Sequence, residues 1–312
     1  MTESTLAIAP ALRRAVLIGL VGEGVGPSLT PPMHELEGAR HGMHYVYRPI
    51  DLARGEGTNT YVVGLLDWAR RLGFDGLNVT HPLKQAVVPL LDDLAPSART
   101  VGAVNTVLFT ERGAVGHNTD VTGFGAAFDD AFADAGRGRV VLVGAGGGGS
   151  AVASALAARD IDDLVIVDAD TERATTLAAS VGGTGSRRVR AGGLSELADL
   201  LRTADGVVNA TPMGMAAHPG APFDVDLLHE RLYVADIVYR PVETTLLRAA
   251  RARGCRVMSG LGMAMHQAAD AFELFTGESA DRSAMLADLQ YLVTAEAAST
   301  DAEKATPRGR IQ

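Results

Sequence analysis

Two charged side chains and one glycine-rich turn carry the chemistry that this sequence offers. Lys84 closes the run Asn78-Val79-Thr80-His81-Pro82-Leu83-Lys84, and Asp120 closes Gly116-His117-Asn118-Thr119-Asp120. A lysine and an aspartate that meet in space can exchange and orient a proton at a reacting hydroxyl. Gly144-Ala145-Gly146-Gly147-Gly148-Gly149-Ser150 lies between the apolar run Arg139 to Val143 and the alanine-rich segment Ala151 to Ala158. That order reads as buried strand, tight turn and helix start, where main-chain N–H groups and a helix N-terminus receive a pyrophosphate. Asp168 ends the next apolar run, Leu164 to Val167, about 24 residues after Gly144, near the spacing of an acid that holds ribose hydroxyls. A dinucleotide is the leading reading; a purely structural turn and a mononucleotide are the others.

These residues need strands and helices to bring them together. Arg14 to Val21 reads as a first strand, and the turn after it carries Ser28 and Thr30 ahead of a helix beginning near Met33. Two hydroxyls there suit a carboxylate, although either could simply cap the helix. Met43 to Ile50 reads as a second strand, and Thr58 to Leu72 as a helix with Tyr61, Leu65, Trp68 and Leu72 on its apolar face. Gly76 to Thr80 is a third strand, after which Pro82 is placed as the first residue of a helix and Lys84 falls in its first turn. A cation at a helix N-terminus is disfavoured, which would bring its pKa toward the range useful for proton transfer; the plainer alternative is a solvated lysine. His81 reads as a loop residue. Gly102 to Leu108 is another strand, and Asp120 starts the helix from about Val121 to Ala135, as a functional carboxylate or an ordinary cap.

From Val140 onward a βα rhythm recurs at Leu164, Val189, Gly206 to Asn209, Leu232 to Val238 and Arg256 to Met258, the pattern of a doubly wound parallel sheet. Asn209-Ala210-Thr211-Pro212-Met213-Gly214-Met215 and Asp236-Ile237-Val238-Tyr239-Arg240-Pro241 follow strand ends, where ligands bind in open sheets. Gly260 begins a helix containing His266 and Gln267, a last helix runs from about Asp281 to Ala295, and both are expected to cover the first sheet. The polar stretch 297–312 is expected to be a disordered tail, and residues 1–13 a loose arm.

Composition narrows the class. With Lys+Arg 28 against Asp+Glu 37, the net charge of -9 gives no basic field for nucleic acid or an anionic membrane, so an anionic ligand must be held locally. Cys255 is the only cysteine, which excludes an intrachain disulfide and thiolate metal sites and fits a reducing cytoplasm. The apolar run Ala15 to Val21 is too short to span a bilayer, so no membrane association is expected. At 312 residues, about two domains are expected.

Seven stretches in one order resemble the shikimate dehydrogenase family: Ser28 to His34, Asn78 to Lys84, Gly102 to Thr106, Asn118 to Asp120, Gly144 to Gly147, Asn209 to Thr211 and Gly260 to Met263. The resemblance implies an α/β enzyme of two domains. Residues 1–118 would be the first part of a substrate domain, 119–258 an inserted Rossmann domain for NAD, and 259–296 the helices that complete the substrate domain. It makes Lys84 and Asp120 the catalytic pair. It assigns Ser28 and Thr30 to a substrate carboxylate, Asn78, Thr80, Asn105 and Gln267 to ring hydroxyls or the carboxylate, and sets Tyr239 facing the substrate. Gly144, Ala145, Gly146, Gly147, Gly148, Asp168, Asn209, Ala210, Thr211, Ile237 and Gly260 would hold the cofactor, the last two beside the nicotinamide. Hydride transfer from a secondary alcohol needs a base and a nicotinamide, and no metal is expected.

Two departures narrow the branch. NADP-using biosynthetic members typically carry Asn-Arg-Thr where this chain has Asp168-Ala169-Asp170, and two carboxylates there repel a 2′-phosphate. Thr30 stands where biosynthetic members usually have serine. Together with Thr80-His81-Pro82, Asn209 to Met215 and His266-Gln267, it looks like the actinobacterial NAD-dependent quinate/shikimate dehydrogenases, which oxidise quinate to 3-dehydroquinate or shikimate to 3-dehydroshikimate. The expected partner is a hydroxylated cyclohexane or cyclohexene carboxylate, and a homodimer is compatible with the resemblance. The competing readings are a biosynthetic enzyme reducing 3-dehydroshikimate, a methylenetetrahydrofolate dehydrogenase, disfavoured by the few aromatics near the motifs, and a non-catalytic NAD-sensing protein.

Overall fold

In a computed structural model that describes residues 14–52, 59–182 and 188–305, the chain forms two six-stranded sheets with helices against them. The first part runs β1 (Ala15–Glu23), α1 (Thr30–Arg40), β2 (His44–Leu52), α2 (Asn59–Arg71), β3 (Gly76–Val79), β4 (Asp93–Leu94), α3 (Pro96–Val101), β5 (Thr106–Thr110), β6 (Gly113–His117) and α4 (Thr119–Phe132). Its sheet has the order β2-β1-β3-β5-β6-β4; β1 is parallel to β2 and β3, and β5 is antiparallel to β3 and β6. β1 lies inside the sheet between β2 and β3 and reads as a nearly continuous apolar run because both of its faces are covered.

The second part runs β7 (Arg139–Val143), α5 (Gly147–Ala157), β8 (Asp163–Val167), α6 (Thr171–Val181), β9 (Arg188–Gly192), α7 (Leu197–Arg202), β10 (Gly206–Asn209), β11 (Tyr233–Asp236), α8 (Thr245–Ala252) and β12 (Arg256–Met258). The order β12-β11-β10-β7-β8-β9 is parallel throughout, with β7 and β10 meeting at the reversal of strand order. That is the doubly wound sheet expected from the βα rhythm, and ligands bind where the order reverses. α9 (Gly260–Thr276) and α10 (Arg282–Ala305) follow. α9 returns to the first sheet, where Ala271, Phe272 and Phe275 pack with Val16, Ile18, Tyr45 and Tyr47, and α10 seats Met285 and Leu289 against Met33 and Met265.

Several sequence expectations are corrected. α1 starts at Thr30 rather than Met33, since Pro31 and Pro32 are tolerated in a first turn whose N–H groups need no helical partner. α2 buries Val62, Leu66 and Ala69, leaving Trp68 62% and Leu72 67% exposed. Both stripes satisfy the helical period, and the one with smaller side chains lies against Leu77 and Val79; Thr58 and the Tyr61 side chain lie outside the described part. No α-helix starts at Pro82. Residues 81–82 and 84–87 are turns that lead into a 3-10 helix at Val88–Leu90, because the Lys84 carbonyl, which an α-helix would offer to residue 88, instead accepts the Val104 N–H at 2.8 Å. α10 continues to Ala305 where a disordered tail was expected, through a stretch in which alanine, the best helix former, recurs at 297, 298, 302 and 305; 306–312 and the arm 1–13 lie outside the described residues.

Candidate active site

The carboxyl ends of β1 and β3 face those of β7, β10 and β11 across a cleft of about 490 Å³. Ser28, Thr30, Asn78, Thr80, Lys84, Asn105, Asp120, Tyr239 and Gln267 all line it, and Gly148, Ile237 and Gly260 form part of its other wall. Residues expected to touch a substrate from six separate stretches therefore share one space. Burial raises the Tyr239 phenol, keeping it a neutral hydroxyl.

Lys84 Nζ donates to Asp120 Oδ2 at 2.5 Å. The two side chains are 26% and 13% exposed, so the pair is shielded yet reachable from the cleft. Asp120 does not cap its helix. Asn118 does, its Oδ1 accepting the Val121 N–H at 3.2 Å, which leaves the Asp120 carboxylate in the first turn of α4 free to take the lysine. The helix N-terminus expected to act on Lys84 is absent; the carboxylate of Asp120 is the charge that faces it.

Ser28 and Thr30 sit on a turn organised from β2. Asp51 accepts the N–H groups of Gly24 at 2.7 Å and Gly26 at 3.2 Å, holding the loop that leads to Ser28. Leu29 occupies the N-cap of α1 with no side-chain cap, and Ser28 Oγ accepts the Thr30 N–H at 3.3 Å. Across the cleft, the Arg240 guanidinium donates to the Pro27 carbonyl at 3.0 Å and pairs with Glu296 on α10. Asp51 and the cleft-lining Arg240, Met33 and Met263 were given no role by the sequence reading of the site, although Arg240 and the methionines stood inside quoted stretches.

The glycine-rich turn has the form a dinucleotide requires. Gly144 has φ +108°, and a Cβ there would meet the Ala210 main chain at 2.8 Å, so only glycine lets β7 turn beside the β10 loop. A Cβ at Gly146 or Gly147 would meet nothing within 4 Å. The N-terminus of α5, uncapped by any side chain, thus opens onto free space that suits a pyrophosphate. Asp168 stands at the end of β8, where its Oδ2 accepts the Ala145 N–H at 2.6 Å and its Oδ1 the Asp170 N–H at 2.8 Å. Gly260 lies directly on Ile237, whose carbonyl would be 2.3 Å from any Cβ at residue 260.

Asn209, expected beside the cofactor, is engaged within the protein. Its side chain is fully buried, with Nδ2 donating to Asp236 Oδ1 at 2.9 Å and the Met213 carbonyl at 3.1 Å while Oδ1 accepts from Thr211. With its side-chain groups engaged inside the protein, it shapes the loop that carries Ala210 and Thr211. Asp236, raised by burial despite bonds from Thr244, Val238 and Asn209, ties the β10 and β11 loops together.

Comparison with known proteins agrees with this geometry. Residues 20–107 match the shikimate dehydrogenase substrate binding domain, 128–217 the shikimate/quinate 5-dehydrogenase family and 260–290 the shikimate 5'-dehydrogenase C-terminal domain. A shikimate dehydrogenase (NADP(+)) of Streptomyces avermitilis is 54% identical over 278 residues, 88% of this chain and 95% of that one. A quinate/shikimate dehydrogenase (NAD(+)) of Corynebacterium glutamicum is 49% identical over 273 residues, 87% of this chain and 96% of that one. The solved quinate dehydrogenase from Corynebacterium glutamicum in complex with NAD superposes with a TM-score of 0.85 at 47% identity, covering 89% of this chain and all 100% of that one. The fold and the cleft define an oxidoreductase that acts on a CH–OH group with a pyridine nucleotide. The chain belongs to the shikimate/quinate dehydrogenase family.

Proposed function

We propose that this chain is an NAD-dependent quinate/shikimate dehydrogenase that interconverts the ring secondary alcohol of either acid and the corresponding ketone. The observation that carries the reading is the Lys84–Asp120 pair, 2.5 Å apart in a cleft whose opposite wall holds Ile237 and Gly260. NAD, when bound along Gly144 to Gly148 with its ribose at Asp168, supplies the hydride acceptor.

Lys84 takes the hydroxyl proton as the carbon is oxidised and returns it in the reverse direction, and Asp120 orients the ammonium and shares the hydroxyl hydrogen bond. Ser28 and Thr30 take the carboxylate with hydroxyl donors at the start of α1. Asn78, Thr80, Asn105 and Gln267 fix the ring hydroxyls, so that one alcohol carbon faces the nicotinamide side. The domain division follows the same logic. We assign 1–118 and 259–296 to the substrate domain and 119–258 to the cofactor domain, with α4 and α9 as the two crossings.

NAD over NADP is supported by the charges of Asp168 and Asp170, which would repel a 2′-phosphate on a ribose held at Asp168, while Asp170, the N-cap of α6, pairs with the nearby cation Arg173 at 3.2 Å. A second reading, an NADP-dependent shikimate dehydrogenase working reductively, is favoured by the identity to the Streptomyces avermitilis relative. Initial rates at 340 nm with quinate and shikimate, each with NAD and NADP, decide between them. A preference for NAD with turnover of both acids is expected; a preference for NADP with shikimate alone establishes the second reading instead.

A further inference from the structure

The floor of the cleft carries two asparagines whose amides are oriented by groups behind them. Asn78 Nδ2 donates to the Asn105 main-chain carbonyl at 3.2 Å and to Thr106 Oγ1 at 2.9 Å. A carbonyl only accepts, so that end of the amide must be the nitrogen, and both of its hydrogens are engaged. Asn78 Oδ1 faces the Tyr47 hydroxyl at 2.5 Å, and an amide oxygen cannot donate, so the phenol does.

Asn105 is fixed in the opposite sense. Its Oδ1 accepts the Thr119 main-chain N–H at 2.8 Å, an obligate donor, and the Thr106 hydroxyl at 3.0 Å; its Nδ2 donates once, to Thr119 Oγ1 at 2.9 Å. What remains is one lone pair on Asn78 Oδ1 and one N–H on Asn105. The two side chains, 5% and 4% exposed, both border the cleft.

We infer that Tyr47 is a positioning residue, which through its hydroxyl pins Asn78 as an acceptor beside the donor Asn105 and so sets the cleft floor to bind a hydroxyl and refuse an oxo group. A hydroxyl can give to Asn78 and receive from Asn105, whereas a ketone or carboxylate oxygen would set lone pair against lone pair at Asn78. Tyr47 is 2% exposed and does not line the cleft, and its ring lies 5.0 Å from that of the buried His34, so the phenol has a rigid seat. Burial holds the phenol well above its ordinary pKa, which keeps it a donor at every working pH. The inference rests on the dehydrogenase reading.

The test is a double-mutant cycle on Tyr47→Phe and Asn78→Ala, read as KM for shikimate, KM for NAD and kcat. Tyr47→Phe should raise the KM for shikimate about tenfold with kcat and the KM for NAD little changed, the size expected when a buried acceptor loses its donor. In the Asn78→Ala background the same change should have no further effect on that KM. An equal rise in both backgrounds overturns the role, because Tyr47 would then act on general structure and not through Asn78. If Tyr47→Phe does not fold, Thr106 decides: Thr106→Ser should keep the wild-type KM and Thr106→Val should raise it, and equal behaviour of the two overturns the network. Wild-type protein that is folded yet forms neither NADH nor NADPH from either acid sinks the dehydrogenase reading, and this inference falls with it.

Discussion

Lys84 Nζ and Asp120 Oδ2 stand 2.5 Å apart although they belong to a turn after β3 and to the first turn of α4. Asn118 caps α4, so the Asp120 carboxylate has no capping bond to make and is oriented by the lysine. Replacing Lys84 by Ala should lower kcat by about 10²- to 10⁴-fold, the usual worth of a general acid–base group. NAD binding by calorimetry should be little changed, since Lys84 lies on the wall of the cleft opposite Gly148. Undiminished turnover would remove Lys84 from the chemistry.

Asp168 does two jobs that one substitution separates. As an acceptor it holds the Ala145 and Asp170 N–H groups on its two oxygens, and as a charge it disfavours a phosphate on the ribose. An Asp168→Asn plus Ala169→Arg variant should shift the NADP-to-NAD ratio of kcat/KM by about 10- to 100-fold toward NADP. An amide has one oxygen, so one of the two N–H groups loses its partner and kcat/KM with NAD should fall as well. An unaltered ratio would count against the cofactor assignment.

The parts of the site that could be read from sequence are those with a short-range signature. Gly144 to Gly149 announces its turn because consecutive glycines after an apolar run have few other uses, and β8 delivers Asp168 at a fixed offset. Lys84 and Asp120 were visible as residue types, but the electrostatic reason expected for Lys84 was wrong, since the Lys84–Val104 main-chain bond that prevents a helix joins segments with no local pattern. The same holds for Tyr47 with Asn78, 31 residues apart, and Arg240 with Pro27, 213 apart. On α2 the periodicity was correct and the face was not: periodicity identifies stripes, and packing against Leu77 and Val79 selects among them.

His34 gives the fold a pH dependence. It is fully buried among Tyr45, Tyr47, Phe272 and Phe275, with Nδ1 beside the Tyr45 hydroxyl at 3.1 Å, and burial lowers its pKa from 6.5 to about 3. The unfolded chain therefore binds a proton that the folded chain refuses between these values. Stability is complete above the unfolded value and is lost as pH falls toward the folded one, by about 2 kcal/mol at pH 5 relative to pH 8. Urea unfolding at the two pH values should show this loss in the wild type and not in His34→Leu. Equal losses in both proteins would mean that His34 is not held neutral.

Arg240 links three segments, and magnitudes separate its stabilising role from its functional one. Its side chain and that of Glu296 are 29% and 36% exposed, so the ion pair is worth at most about 1 kcal/mol. In a chain of this length that corresponds to only about 1.5 °C in Tm. The bond to the Pro27 carbonyl fixes the residue immediately before Ser28, which is proposed to hold the substrate carboxylate. Arg240→Ala should therefore raise the KM for shikimate by about tenfold while Tm falls by only a few degrees. Glu296→Ala removes the ion pair and leaves the Pro27 contact in place, so it should reproduce the small fall in Tm with the KM little changed. If the two variants change KM equally, Arg240 works through Glu296 and α10, and the Pro27 carbonyl contributes nothing to holding Ser28.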